Sequence, residues 1–347
     1  MAAFIIRSIF FKMITLFIIS VISFLIVHLA PGEPSQIDPL NPRFRKEDIA
    51  RYRAAFDLDK PLHQQYYLFY KKFFTGELKS FKDNQPVMGK IWERFLNSLP
   101  IFIVGTILTW CLAFPMGVGA ALRRRGAFDQ ATTFLSYLLI SVPGFFLSYI
   151  LIVLVVQGFS IGLPEMRFAL MGLEISTPAL HLTIAGLEVP VLGIRTFGQE
   201  NAPAIYQVND RLWHLVLPSL LGATGGIAFL SRYVRGQMIE VLDSDYIRTA
   251  LSKGLPSDTV YYVHALRNAA LPFVTMFGLL LPGLIGGSVI FETIFAWPGM
   301  GRMGYEAILA RDFPIIISLN FIAAVLVIAG TFVSDVLYVI VDPRIRL

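Results

Sequence analysis

Few residues in this chain have the type and spacing that covalent chemistry requires. Its five histidines, His28, His63, His181, His214 and His264, are widely dispersed, and its single cysteine, Cys111, lies inside a long apolar run. One thiol allows no internal disulfide and no cysteine-based metal site, so Cys111 is expected to serve packing. A GxxxxGK[ST] phosphate cradle is missing: Gly89-Lys90 has neither the upstream glycine nor the following hydroxyl residue. Neither a GxSxG elbow nor an HExxH helix occurs. The sequence therefore predicts no catalysis by the chain itself, and no cofactor or metal of its own.

Its most concentrated polar patterning suits docking instead. Residues 243–272, "DSDYIRTALSKGLPSDTVYYVHALRNAALP", form a charged stretch between two apolar runs. Ser244 or Asp243 can cap a helix starting near Asp245, and Gly254 supplies a left-handed stop after Lys253. Ile247, Ala250 and Leu251 fall at i, i+3 and i+4, a narrow apolar stripe flanked by Arg248, Thr249 and Lys253. Pro256 and Ser257 restart a second helix carrying Tyr262, His264, Arg267 and Asn268 before Pro272. So short a helix is marginal alone in water and must pack on something. Spacing permits two readings: a loop tidied against its own bundle, or a knob that fits a separate partner and carries force into the apolar runs.

The elements around it are set by composition. The chain has 347 residues, 55% hydrophobic and only 15% charged, with a mean hydropathy of +0.65. These values exclude an ordinary soluble domain and predict an all-α polytopic membrane protein. Six apolar runs, residues 13–30, 99–122, 132–163, 212–231, 271–291 and 313–340, are each long enough to cross roughly 30 Å of hydrocarbon as a helix. The first exceeds a signal-peptide apolar core of about 7 to 15 residues and is followed by Pro31, which favours a retained span.

The net charge of +5 lies beside the apolar runs, where it reads as a topology signal and not as a nucleic-acid surface. Arg123-Arg124-Arg125, opposed only by Asp129, marks a cytoplasmic loop. Counting spans from it puts both termini and residues 232–270 on the same side, in agreement with Arg7, Lys12, Arg232, Arg235, Arg344 and Arg346. Outside lie an extracytoplasmic cap segment, 31–98, an insert, 164–211, and the short link 293–312. "LHQQYYLFYKKFF" in the first reads as an amphipathic helix, and the alternation in the second as short strands or a hairpin.

Ionisable groups within the runs are sparse. Asp335 is expected to hydrogen-bond between helices, and Glu292 to sit as a solvated residue at the outer end of the fifth run, with a substrate- or partner-facing role as the other reading. Gly222 and Gly226, and the glycines of the fifth run, allow close backbone approach, while Pro143-Gly144 and Pro282 invite kinks. Such residues suit ordinary membrane packing. They equally suit a central path lined by spans three to five, for which Pro143, Gly283, Gly287, Glu292 and Trp297 are the candidate lining or gating residues.

The run "YIRTALSKG...HALRNAALP" resembles the cytoplasmic EAA loop of ABC importer permeases. "FLIVHLAPGEP", "DLDKPLHQQY", "GELKSFKDNQPV", "FETIFAWPGMGRMGYEAILARDFP" and "DPRIR", in that order along the chain, resemble the B-type permease subunit of dipeptide, oligopeptide and nickel importers. The resemblance implies a type I importer permease fold of six transmembrane helices with extracytoplasmic inserts. It also makes Asp245, Tyr246, Ile247, Arg248, Thr249, Ala250, Leu251, Ser252, Lys253, Gly254 and Leu255 the coupling helix, although Arg248-Thr249-Ala250 fills the EAA triplet without its acidic residue. The implied partners are a C-type permease, two ATPase subunits that bind ATP and Mg, an extracytoplasmic binding protein and membrane lipid of a bacterial inner membrane. An ion-coupled secondary transporter, the alternative, would need inverted repeats and buried carboxylates.

Overall fold

The computed structural model describes residues 2–29, 46–157, 159–163, 166–170, 173–177, 180–184, 190–196, 198, 203–274, 276, 280, 283 and 289–341. Helix α1 (Ala2–Leu29) is followed by two helices of the cap segment, α2 (Lys46–Ala55) and α3 (Leu62–Thr75). Then come α4 (Val87–Leu122), α5 (Ala127–Ser141) and α6 (Gly144–Gln157). Past a β insert lie α7 (Ala204–Leu242) and α8 (Asp245–Ser252). A π-helix (Thr259–Ala265) runs into α9 (Leu266–Ala269), and α10 (Val289–Ile294), α11 (Met300–Leu309) and α12 (Phe313–Val341) complete the order.

Four of these, α1, α4, α7 and α12, are individually long and apolar enough to cross a membrane. The third apolar run departs from a single span. α5 and α6 meet at 98°, because Pro143 excludes its predecessor from helical geometry and Val142 turns extended (φ −94, ψ 121). About half of the fifth run, 271–291, lies outside the described residues. Helices α4 and α7 also exceed the apolar runs that announced them: 36 and 39 residues are roughly 54 and 58 Å of helix, well beyond the hydrocarbon thickness. Nothing in polar flanking sequence obliges a helix to stop at the lipid edge.

The expected strands are present as β1 (Phe159–Leu163), β2 (Met166–Leu170), β3 (Leu173–Thr177) and β4 (Leu180–Ile184). β1 pairs antiparallel with β4 and β2 with β3, the two ladders continuing one another in register as an extended hairpin. It begins at residue 159, inside what hydropathy alone assigns to the third run.

On the cap side, α3 turns Phe69, Tyr70 and Phe73 inward at the expected helical spacing. They join Phe24 of α1, Val87 of α4 and Phe313 and Ile317 of α12 in one core. Phe321 receives both Tyr70 and Phe73 edge-on at 5.1 and 5.5 Å. Asp57 pairs with Lys60 (2.6 Å) within the α2–α3 turn and ties that turn to α3 through Lys72 (2.5 Å). Burial pushes its carboxyl up, yet the two lysine hydrogen bonds outweigh this and hold it below the usual carboxylate range. Farther on, Asp312, completely buried, accepts from Phe81 N at 3.0 Å and from the Ser80 hydroxyl, fastening the cap to the start of α12. At the other end of that helix Lys12 meets Asp335 at 2.7 Å, so Asp335 bridges α1 and α12 as expected.

α4 and α7 run parallel, with Gly105, Thr109 and Gly117 facing Ser219, Gly226 and Ser231 in ascending order. The closest approach is at Gly117, where a Cβ would lie 2.5 Å from Ser231 O and 2.6 Å from Val234 Cβ. Gly226 is similarly close to Thr109 at 3.0 Å, whereas Gly222 faces open space. Cys111, expected to be a packing residue, is exposed on α4.

Gly117→Val is predicted to lower the melting temperature of the detergent-solubilised protein, since overpacking costs about 1–3 kcal/mol and here the obstacle is backbone. Gly89→Ala, with nothing within 4 Å of the new Cβ, is predicted to leave it unchanged or raise it. Fluorescence-detected size exclusion after heating reads both.

Candidate coupling helix and central cavity

α8 is held to the bundle by one buried side chain. Ser244 stands at its N-cap in extended geometry, but its hydroxyl donates back to Val241 O at 2.5 Å instead of capping α8. Gly254 comes just after the helix at φ +77, the left-handed stop expected of it. Ile247 is 1% exposed, within a core that includes Val118 and Ala121 of α4 and Val234 and Met238 of α7. The expected stripe is only half realised, because Ala250 is half-buried and Leu251 points outward. Tyr246, Leu251 and Leu255 are all at least 40% exposed, interspersed with exposed Asp245, Arg248, Thr249, Ser252 and Lys253. Tyr246, Leu251 and Leu255 together leave a small apolar patch exposed on and just after a charged helix.

The segment beyond α8 differs from the expected second α-helix. Residues Thr259–Ala265 are π-wound, and only Leu266–Ala269 returns to α geometry. Tyr262, His264, Arg267 and Asn268 are exposed there. Asn268 Nδ2 donates to the Tyr246 hydroxyl at 2.9 Å, tying α8 to the segment that leads into the fifth run.

Between α4 and α7 lies a cavity of about 350 Å³. Phe102, Thr106, Thr109 and Trp110 line it from α4, and Ser219, Gly222 and Gly226 from α7, with Gly283 and Glu292 completing the wall. The Ser219 hydroxyl is buried there without a partner among the described residues. Apolar walls with a few hydroxyls are the usual chemistry of a small-molecule site. Of the five candidate path residues, Gly283 and Glu292 line this cavity. Pro143, at the α5–α6 bend, and Trp297 lie outside its lining, and Gly287 falls outside the described residues.

Glu292 corrects its expected solvated state. It is 3% exposed, with Oε1 accepting from Ser98 Oγ and Oε2 from Arg302 N, both at 2.8 Å. Ser98 Oγ in turn accepts from Met300 N at 2.8 Å. Trp297 donates its backbone N–H to Glu292 O at 2.7 Å and its indole Nε1 to Asn97 O at 2.8 Å. Asn97 Nδ2 returns a bond to Pro298 O at 3.1 Å. These contacts clamp the α10–α11 link onto α4, and a Cβ on Gly299 would fall 2.3 Å from Glu292 Oε1. Buried carboxylates require such partners, so Glu292 and Trp297 hold the α10–α11 link in place.

Sequence reading missed an ion pair built on a buried carboxylate. Asp129, counted only as a counter-charge to the arginine loop, is joined by Arg235 of α7 through Nε at 2.6 Å and Nη2 at 2.9 Å. Its place near the start of a helix gave a hint, since a carboxylate there can accept from the chain just before it, as Asp129 does from Arg125 N at 2.8 Å.

Residues 113–347 match the family described as binding-protein-dependent transport system inner membrane component, and residues 1–102 match the N-terminal family of the same membrane components. The chain is 35% identical to the oligopeptide transport system permease protein AppB of Bacillus subtilis, with both chains covered in full. It is 33% identical to the dipeptide transport system permease protein DppB of Escherichia coli K12, over 100% of this chain and 99% of that one. The glutathione transport system permease protein GsiC of Escherichia coli O6:H1 is 32% identical over 96% of this chain and 95% of its own.

Gly299→Ala is predicted to force Glu292 off its partners and loosen the link, red-shifting Trp297 emission and raising its acrylamide quenching. The four tryptophans are separated by repeating the measurement in a Trp297→Phe background, where Gly299→Ala should change nothing.

Proposed function

The chain belongs to the binding-protein-dependent transport system inner membrane components, and from that membership we propose that α8 is the lever through which separate ATPase subunits move the bundle. The chain is a multi-pass permease subunit of a peptide ABC importer, on the strength of full-length similarity to peptide permeases. The coupling role is carried by one observation: α8 and the turn after it present Tyr246, Leu251 and Leu255 outward, while Ile247, the one fully buried side chain of α8, roots it in the core shared by α4 and α7. A helix built only to close a loop would turn its apolar face inward.

In this reading ATP binding in two partner ATPases draws a pair of coupling helices together, and hydrolysis releases them. The displacement enters α4 and α7 at Ile247 and alters the cavity between them, exposing it in turn to a loaded binding protein outside and to the cytosol. The permease contributes two arrangements of similar energy, biased by partner contacts. We further propose a C-type permease as the other half of the path, termini and α8 on the cytoplasmic side of a bacterial inner membrane, and short peptides as cargo. The cavity volume and its hydroxyl-bearing apolar wall support a small, partly apolar solute.

Gly254→Asp tests the docking role. At φ +77 a non-glycine residue is strained, and an added carboxylate beside Lys253 and Leu255 changes the docking surface. The variant is expected to insert normally but to co-purify with less ATPase and to take up less radiolabelled peptide. Gly254→Asn, better tolerated in this backbone region, is expected to be milder. Unchanged complex yield and uptake in Gly254→Asp would contradict the proposal.

A further inference from the structure

Three contacts join α5 to α7 at the end of the bundle that carries α8. The Arg235 guanidinium grips both oxygens of Asp129. Next along α7, Arg232 stands 4.6 Å from the Tyr137 ring centroid. Beside it, the Ser231 and Ser136 hydroxyls meet at 3.3 Å. The Asp129 side chain is only 6% exposed, and Arg125 N and Thr133 Oγ1 also donate to it. A two-point guanidinium–carboxylate pair fixes orientation as well as distance, which a lysine cannot do.

The same stretch of α7 is held on its other sides. Gly117 of α4 seats against Ser231 and Val234, and Val234 and Met238 share a core with Ile247 of α8. Residues 231–238 of α7 are therefore the place where α4, α5 and α8 all grip one helix. By contrast, Arg124 and Asp243, 3.2 Å apart but both about half-exposed or more, are too well solvated to hold anything firmly.

We infer that Asp129 and Arg235 are a positioning pair for transport: they make α5 travel with α7 when α8 is displaced, so that the movement reaches the bent α5–α6 segment. This rests on the coupling role of α8. A pair that merely stabilised the fold would change yield and melting temperature but not the relative motion of the two helices between nucleotide states.

The test uses the full importer with its ATPase partners, in a Cys111→Ser background. Spin labels on Gln130→Cys of α5 and Glu240→Cys of α7 report their separation by pulsed electron resonance; labels on Thr249→Cys of α8 and Val333→Cys of α12 report the displacement of α8. Between the nucleotide-free and ATP–vanadate states, the α8–α12 distance is expected to shift. The α5–α7 distance is expected to hold within about 2 Å, the scale of a helix adjusting in its seat. In Asp129→Asn with Arg235→Gln, which removes both charges and so leaves neither buried unpaired, the α5–α7 distance should become state-dependent. ATP hydrolysed per trialanine imported should then rise roughly tenfold, within the usual range of coupling between sites. Arg235→Lys, which keeps the charge and loses the two-point geometry, should fall between and serves if the double variant does not assemble. A wild-type α5–α7 distance that shifts with nucleotide, or variants indistinguishable from wild type, would overturn the inference. An α8 that ignores ATP–vanadate would overturn the coupling role along with it.

Discussion

The close parallel seam between α4 and α7 is what the rest of the molecule is hung upon. In lipid, two apolar helices gain little by leaving the hydrocarbon for each other, so association depends on fit and on polar contacts between them. Gly117 supplies the fit: its missing side chain admits the Ser231 carbonyl and the Val234 side chain. Every feature with functional promise is attached to this seam. The cavity opens along it, Ile247 enters its far end, and Ser98, near the α4 end under the cap, holds the α10–α11 link through Glu292.

The polar groups divide into two kinds with different consequences. Glu292, Asp312 and Asp129 are buried and saturated with partners, and removing one partner from such a group strands a charge or dipole at large cost. Those sites therefore behave as rigid joints. The exposed pairs, Arg124 with Asp243 and Arg248 with Asp245, cost little to break. Both of these lie beside α8. Under the proposed coupling, rigid joints within the bundle and weak ones around α8 would let a push at α8 move whole helices instead of dissolving locally.

Much of this was legible in the sequence, for identifiable reasons. Hydropathy located the four long apolar helices α1, α4, α7 and α12 because a span needs a long apolar run, and Gly254 announced the end of α8 because few other residues adopt its backbone conformation at low cost. The amphipathic face of α3 was readable because Phe69, Tyr70 and Phe73 keep helical spacing. The failures have equally physical causes. Pro143 promised a kink, but its 98° size depends on what α6 packs upon, including Phe291 against Gly144. Glu292 was read as solvated because its partners, Ser98 and Arg302, come from another helix and from a later turn. Asp129 and Arg235 lie far apart in sequence and meet only once α5 folds back on α7. A stripe such as Ile247, Ala250 and Leu251 gives a helix's period but not the angle at which it docks, which is how Leu251 came to face outward.

The central claim, that the exposed face of α8 is covered by a nucleotide-hydrolysing neighbour, is tested most directly by placing a photoreactive benzoylphenylalanine at Leu251 and irradiating intact cells that express the whole importer. The predicted product is a covalent adduct with the ATPase subunit, identified by mass spectrometry. No such adduct, together with labelling of a cysteine at the same position by a membrane-impermeant maleimide added outside a wall-stripped cell, would contradict it.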